Sequence, residues 1–246
     1  MKVPKVTAYF WIVKILTTAI GEAISDDLVN RFNPVPVVLV AFVAFVAVLI
    51  VQLRATRYVA WLYWTAALMV SIFGTMAADV VHVGMGIPYL VSAIGCAAAL
   101  TGTFVVWHRT EHTLSIHSIT TLRRELFYWA TAAVTFALGT AVGDLTAVTF
   151  RLGFLASGLL FAVIFAIPAV GYWKFRIDAV LAFWFAYIVT RPLGASFADW
   201  VAKPHAAKGL GRGDGIVVLV LATLIVAFVG YLSVSHVDEP EPTETV

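Results

Sequence analysis

Four stretches of this 246-residue chain, residues 35–53, 87–107, 152–173 and 216–235, contain no Asp, Glu, Lys or Arg. Each is close to the roughly 20 residues that carry an α-helix across a hydrocarbon core. Before and between them lie four further apolar segments, about residues 6–28, 58–81, 126–148 and 177–201, that do carry ionisable residues. The alternation predicts eight helices, charge-bearing and charge-free in turn. The chain as a whole is 61% hydrophobic and 12% charged, where an ordinary soluble domain is roughly 25% charged. Strand-like alternation of apolar and polar residues is absent, which argues against a transmembrane barrel. A single cysteine, Cys96, leaves no disulfide scaffold, and a net charge of +2 gives no field to attract nucleic acid. The class expected is an all-α integral membrane protein.

The charge-bearing segments repeat. Trp11, Trp64, Trp129 and Trp184 are each followed ten residues later by glycine (Gly21, Gly74, Gly139, Gly194) and fifteen later by aspartate (Asp26, Asp79, Asp144, Asp199). Four copies of W-x9-G-x4-D, each followed by a charge-free segment, predict a helical hairpin used four times. The expected repeats cover about residues 6–54, 57–107, 124–173 and 177–235 of a single transmembrane domain, 1–235. A two-helix unit returns the chain to its starting side, so all copies share one orientation. Their pseudo-symmetry axis then runs along the membrane normal, unlike that of inverted-repeat transporters.

Short loops set the orientation. The side holding the N-terminus gathers nine Lys and Arg, including Lys2, Lys5, Arg54 and Arg57, against five on the other side, Arg31, Arg151, Lys203, Lys208 and Arg212. The positive-inside rule therefore predicts a multi-pass protein of a bacterial inner (plasma) membrane with both termini cytoplasmic. The acidic, proline-rich residues 236–246 are expected to form a disordered cytoplasmic tail.

Positions ten and fourteen after each Trp are small in every repeat, the pattern that lets membrane helices approach closely. Positions seven, eleven and fifteen share a neighbouring face. They read Thr18-Glu22-Asp26, Ser71-Thr75-Asp79, Phe136-Thr140-Asp144 and Arg191-Ala195-Asp199, with Lys14 one turn before the first set. The charge-bearing helices should therefore pack together and turn polar faces to a shared interior, with the charge-free helices outside. Intramembrane carboxylates are costly and point to function. Each Asp also stands near a helix C-terminus, where the dipole disfavours negative charge. Lys14 and Arg191 are the counter-charges inside the spans and are too few to neutralise the set.

Two interpretations of that interior stay open. In one, Glu22, Asp26, Asp79, Asp144, Asp199, Thr18, Thr75 and Thr140 line an ion pathway. Glu22, Asp26 and Asp144 are then the candidate metal ligands, for a hard cation such as Mn²⁺, Mg²⁺, Ca²⁺, Na⁺ or H⁺. In the other, each Asp hydrogen-bonds a neighbouring repeat and only locks the bundle. Arg191 either pairs with Glu22 or a repeat Asp or receives an anionic substrate. Pro192, with Gly194 beside it, is expected to break its helix by removing a backbone donor. His108, Glu111, His112 and His117 form a loop cluster that either binds a metal or is simply solvated. No nucleophile elbow, P-loop or zinc-protease motif occurs, so no enzyme is expected.

The runs Lys2-Val-Pro-Lys…Phe10-Trp11…Lys14…Gly21-Glu22…Asp26 and Tyr187…Thr190-Arg-Pro-Leu-Gly-Ala-Ser-Phe-Ala-Asp199 resemble a family of bacterial membrane-anchored proteins built from a short repeat of unknown function. The third copy, Phe127-Tyr-Trp…Gly139-Thr-Ala-Val-Gly-Asp144, is similar to the same family, and the second keeps Tyr63-Trp64, Gly74-Thr75 and Asp79. The resemblance spans about residues 2–235 and implies four membrane repeats without implying an activity. The function expected from the residues is a small inner-membrane transporter or channel for a hard cation. The alternative is a non-transporting structural, assembly or sensor protein. The expected partners are the lipid bilayer and a small cation. No cofactor is expected beyond a bound metal cation, and a homo-oligomer is left open.

Overall fold

The structure, a computed structural model, describes residues 2–239 except the side chain of Val83. Among them are eight long helices and no strand: α1 (Ala8–Arg31), α2 (Pro34–Arg54), α3 (Ala60–Asp79), α4 (Tyr89–Glu111), α5 (Leu122–Asp144), α6 (Phe154–Phe175), α7 (Ala179–Ala202) and α8 (Asp214–Ser235). All eight are long and apolar enough to cross a membrane. Side-chain caps start three of the odd-numbered helices. Thr7, Thr121 and Asp178 accept from the backbone N–H groups of Phe10, Arg124 and Leu181, which satisfies donors that a helix start otherwise leaves orphaned. After Asp79 and after Asp144 the helix widens into a single π-helical turn, Val80–Gly84 and Leu145–Thr149.

The odd-numbered helices close a ring. α1 packs on α3 and α7, and α5 packs on the same two. Glycine makes the ring tight in the same way at every joint. A Cβ on Gly21 would run into Ser71, on Gly74 into Phe136, on Gly139 into Arg191, and on Gly194 into Thr18. Each glycine thus abuts the position-seven residue of the next repeat, and the fourth returns to the first. Over their most apolar stretches the odd helices are 56–67% buried, against 6–28% for the even ones. The featureless apolar helices are the outer layer, as their sequences suggest.

The hairpin unit is different from the one expected. α2 packs chiefly on α3, α4 on α5, α6 on α7, and α8 on α1. Each apolar helix therefore lies on the odd helix of the following repeat and not on the one before it. The small faces of the odd helices are consumed within the ring, so an outer helix can only fill an external groove. In all four repeats it fills the groove on the following side.

Two further expectations are corrected. α7 is not broken at Pro192 and runs unbroken from Ala179 to Ala202. The proline ring lies against Gly139 and Gly143 of α5, which supply the room it needs while a single backbone bond is lost. The start of the expected disordered tail is also fixed. Asp238 is buried, its carboxylate accepts from the Tyr58 hydroxyl, and its carbonyl accepts from the Lys5 N–H at 2.8 Å. Burial pushes the Asp238 carboxyl above its ordinary pKa, against the pull of the Tyr58 hydrogen bond. The remainder of that tail, 240–246, lies outside the described residues.

Candidate functional site: a layered polar axis

Because the ring members are equivalent, positions one helical turn apart form layers of four, spaced about 6 Å along the axis. From the N-terminal end of the odd helices these are Phe10/Tyr63/Tyr128/Phe183, then Lys14/Ala67/Ala132/Tyr187, then Thr18/Ser71/Phe136/Arg191. Glu22/Thr75/Thr140/Ala195 follows, and Asp26/Asp79/Asp144/Asp199 is last. The interior passes from aromatic to carboxylate along its length.

The aromatic end is closed. Tyr63 and Tyr128 share a hydrogen bond between α3 and α5, and both are essentially inaccessible. Beneath them Lys2 bonds the Leu53 carbonyl at 2.9 Å and the buried carboxylate of Glu125 at 2.8 Å, and Gln52 donates to the same carboxylate at 3.0 Å. Lys14 is fully buried one layer above the tyrosines. Its ammonium lies 4.2 Å from the centre of the Phe136 ring and 4.1 Å from that of Tyr187. Among the described residues no carboxylate pairs with it, and two aromatic faces are its neighbours instead.

The middle layers are joined by Arg191. Its guanidinium donates to the Thr18 carbonyl at 3.2 Å, to the Thr140 hydroxyl at 2.9 Å, and to Thr75 and the Glu22 carboxylate at closer range. One side chain on α7 thus reaches all three other ring helices. The three position-eleven side chains it binds are those of the other repeats, and its own repeat carries Ala195 there, which leaves room. Of the two roles open to Arg191, the contacts are those of pairing with Glu22. Thr18 places its hydroxyl within 3.0 Å of the Thr190 carbonyl and 2.7 Å of the Ile15 carbonyl. Thr18, Thr75 and Thr140 are therefore engaged in joining helices.

The carboxylate end is electrostatically uneven. Oxygens of Glu22, Asp26 and Asp199 converge to within 4.8 Å of one another. Asp199 thus stands where Asp144 was expected in the metal set, because the close approach of α1 and α7 brings Asp26 and Asp199 together. Asp144 instead lines a small adjoining cavity of about 10 Å³, room for about one water, with Glu22, Thr140, Ser196 and Asp199. Lys203, just past the end of α7, pairs with Asp26 and stands 3.8 Å from Asp199. Burial disfavours its charged form, but the carboxylates of Asp199 and Asp26 outweigh that and hold its pKa above the ordinary lysine range. Asp79 and Asp144 take part in no ion pair among the described residues.

The loop histidines do not form a metal site with Glu111. That carboxylate is held by Arg123 and by Arg124, the latter at 2.7 Å.

The model of the family described as Repeat of Unknown Function (DUF347) matches residues 9–58, 62–113, 127–178 and 182–238. The chain belongs to the DUF347 repeat family. No curated protein and no solved structure matches it significantly. Each DUF347 match takes in one odd helix and the even helix after it, so the sequence unit and the packed pair are offset by one helix.

Lys203, Ser196 and the Tyr63–Tyr128 pair belong to the axis of this DUF347 protein and are not signalled by W-x9-G-x4-D. Lys203 is four residues beyond Asp199, and continuing the i+4 stripe one further turn would have found it. Tyr63 and Tyr128 directly precede two of the marker tryptophans.

Proposed function

We propose that this DUF347 chain is a multi-pass protein of the bacterial inner membrane that transports a hard cation through its axial carboxylates. The two-helix repeats share one orientation, the ring axis runs along the membrane normal and both termini are cytoplasmic. The exposed apolar surfaces of α2, α4, α6 and α8 then face lipid, as an outer layer with low burial requires. One observation carries the reading. Glu22, Asp26, Asp79, Asp144 and Asp199 crowd one end of the ring, and among the described residues only Arg191 and Lys203 stand with them as cations. Bare carboxylates in a low-dielectric interior are unfavourable unless protons or cations join them. An all-oxygen set of this kind suits Mn²⁺, Mg²⁺, Ca²⁺, Na⁺ or H⁺. The aromatic layers close the other end, so the reading is of a carrier that opens alternately and not of a continuous pore.

The Arg191 layer favours a second reading for part of the axis. A guanidinium tied to three helices is a structural rivet, and a protein built only around it would be a membrane assembly or sensor module. Asp144→Asn separates the two, because Asp144 has no ionic partner to lose. For a transporter, Asp144→Asn in proteoliposomes lowers cation flux about tenfold or more, in keeping with loss of one buried charge contact, while thermal stability in detergent is retained. Unchanged flux in Asp144→Asn and in Asp199→Asn would exclude the transport reading.

A further inference from the structure

The carboxylate group of Glu22, Asp26 and Asp199 already contains a cation that belongs to the chain. Side-chain exposure falls from 27% at Lys203 to 19% at Asp26 and 8% at both Asp199 and Glu22. The ammonium therefore stands between solvent and the deeper carboxylates. Its backbone is pinned. The Lys203 N–H donates to the Asp199 carbonyl and its own carbonyl accepts from the Gly211 N–H, both at 2.8 Å. The following loop is tied back to α7 by Leu210, Arg212 and Gly213, which donate to the carbonyls of Trp200, Val201 and Ala202. Only the four-carbon stem is free to move.

Two observations independent of the acidic cluster point to a ligand and to where the lysine goes. Ser196, 2% exposed, lines the cavity beside Glu22 and Asp199, and no hydrogen bond among the described residues engages its hydroxyl. It is an oxygen donor held ready at the inner edge of the group. Asp214, in the first turn of α8, has a carboxylate oxygen that is buried without a hydrogen-bond partner, and it acts electrostatically on Lys203. A second acceptor for the ammonium thus lies nearby and unused.

We propose that Lys203 is a tethered counter-ion that gates the site: its ammonium occupies the position of a substrate cation between Asp26 and Asp199 and swings to Asp214 when a divalent hard cation enters. A dication wins this exchange because it places two charges on an oxygen set where the ammonium places one. The entering ion takes Glu22, Asp26, Asp199 and the Ser196 hydroxyl as its oxygen donors. The inference rests on the cation-transport reading above and adds its regulation.

The test uses full-length protein purified in detergent, with thermal unfolding followed against MnCl₂, MgCl₂ and CaCl₂ separately. Removing a competing, partly exposed ion pair in Lys203→Gln is expected to lower the half-maximal concentration for stabilisation about fivefold. Asp214→Asn removes the second position of the lysine and moves that concentration the other way, while Lys203→Arg keeps the charge and follows the wild type. Should Lys203→Gln be too unstable to purify without cation, its recovery by purification in MnCl₂ supports the gate. If cations stabilise the wild type but Lys203→Gln and Asp214→Asn respond at the same concentration, the gate is wrong and the transport reading stands. If no cation stabilises the wild type or either variant, the divalent site fails together with the gate.

Discussion

The joint between the fourth and first repeats and the joint between the second and third are made from the same motif and have become different things. At α7–α1 the two motif aspartates are drawn together, Glu22 is added, and Arg191 and Lys203 supply positive charge. At α3–α5 the corresponding Asp79 and Asp144 carry no ion pair, the contacts are Gly74 on Phe136 and Tyr63 on Tyr128, and each helix widens into a π turn directly after its aspartate. A conserved spacing within one chain thus fixes where a carboxylate stands and not what it does. Its role is set by which cations the neighbouring repeat contributes.

The largest effect that would break this contrast lies at the buried ion pair. Arg191→Leu leaves Glu22 charged and unpartnered and should cost about 3–5 kcal/mol in thermal unfolding. The double variant Glu22→Gln/Arg191→Leu should regain most of that loss. Equal losses in the single and double variants would mean that the pair is not what holds α7 to α1. A smaller effect tests the backbone at the same joint. Gly194→Ala puts a methyl 2.9 Å from the Ile15 carbonyl oxygen and 3.0 Å from the Ala19 nitrogen, and overpacking against backbone costs about 1–3 kcal/mol. Gly143→Ala meets Pro192 at an ordinary 3.8 Å and should change stability by less than about 1 kcal/mol, in the stabilising direction that helix propensity gives. A comparably small effect separates the aspartates themselves. Asp26→Asn loses a partly exposed pair with Lys203, about 1 kcal/mol at low salt and less at high salt. Asp144→Asn should lose nothing, because no cation is bound to it.

Much of this architecture is legible in the chain. Eight helices, four of them inside, follow from the placement of charge, and the joints of the ring follow from the glycine ten residues after each Trp. The pairing of Arg191 with Glu22 is foreshadowed by both residues departing from the repeat pattern. The partner of each outer helix is not legible, because α2 and α8 are apolar on every side and no face of them names a neighbour. The closeness of Asp26 to Asp199 is hidden for a related reason. All four aspartates occupy one position in the repeat, and only the unequal packing of the ring distinguishes them. The persistence of α7 through Pro192 depends on two glycines in another helix, a compensation that local rules for proline do not include.

The one-helix offset between sequence repeat and packed pair bears on how such a chain is made. α1 is among the two least apolar of the eight helices, with mean hydropathy 1.2 against 3.0 for α2. Its ring neighbour α7 and its outer cover α8 are the last of the eight to be synthesised. At about 5–20 residues per second, a helix carrying Lys14 and Glu22 waits on the order of 10–40 seconds before Arg191 and α8 exist to receive it. The first of the eight helices to be made is thus the last to gain its full set of neighbours, and the ring shuts only when α7 and α8 arrive.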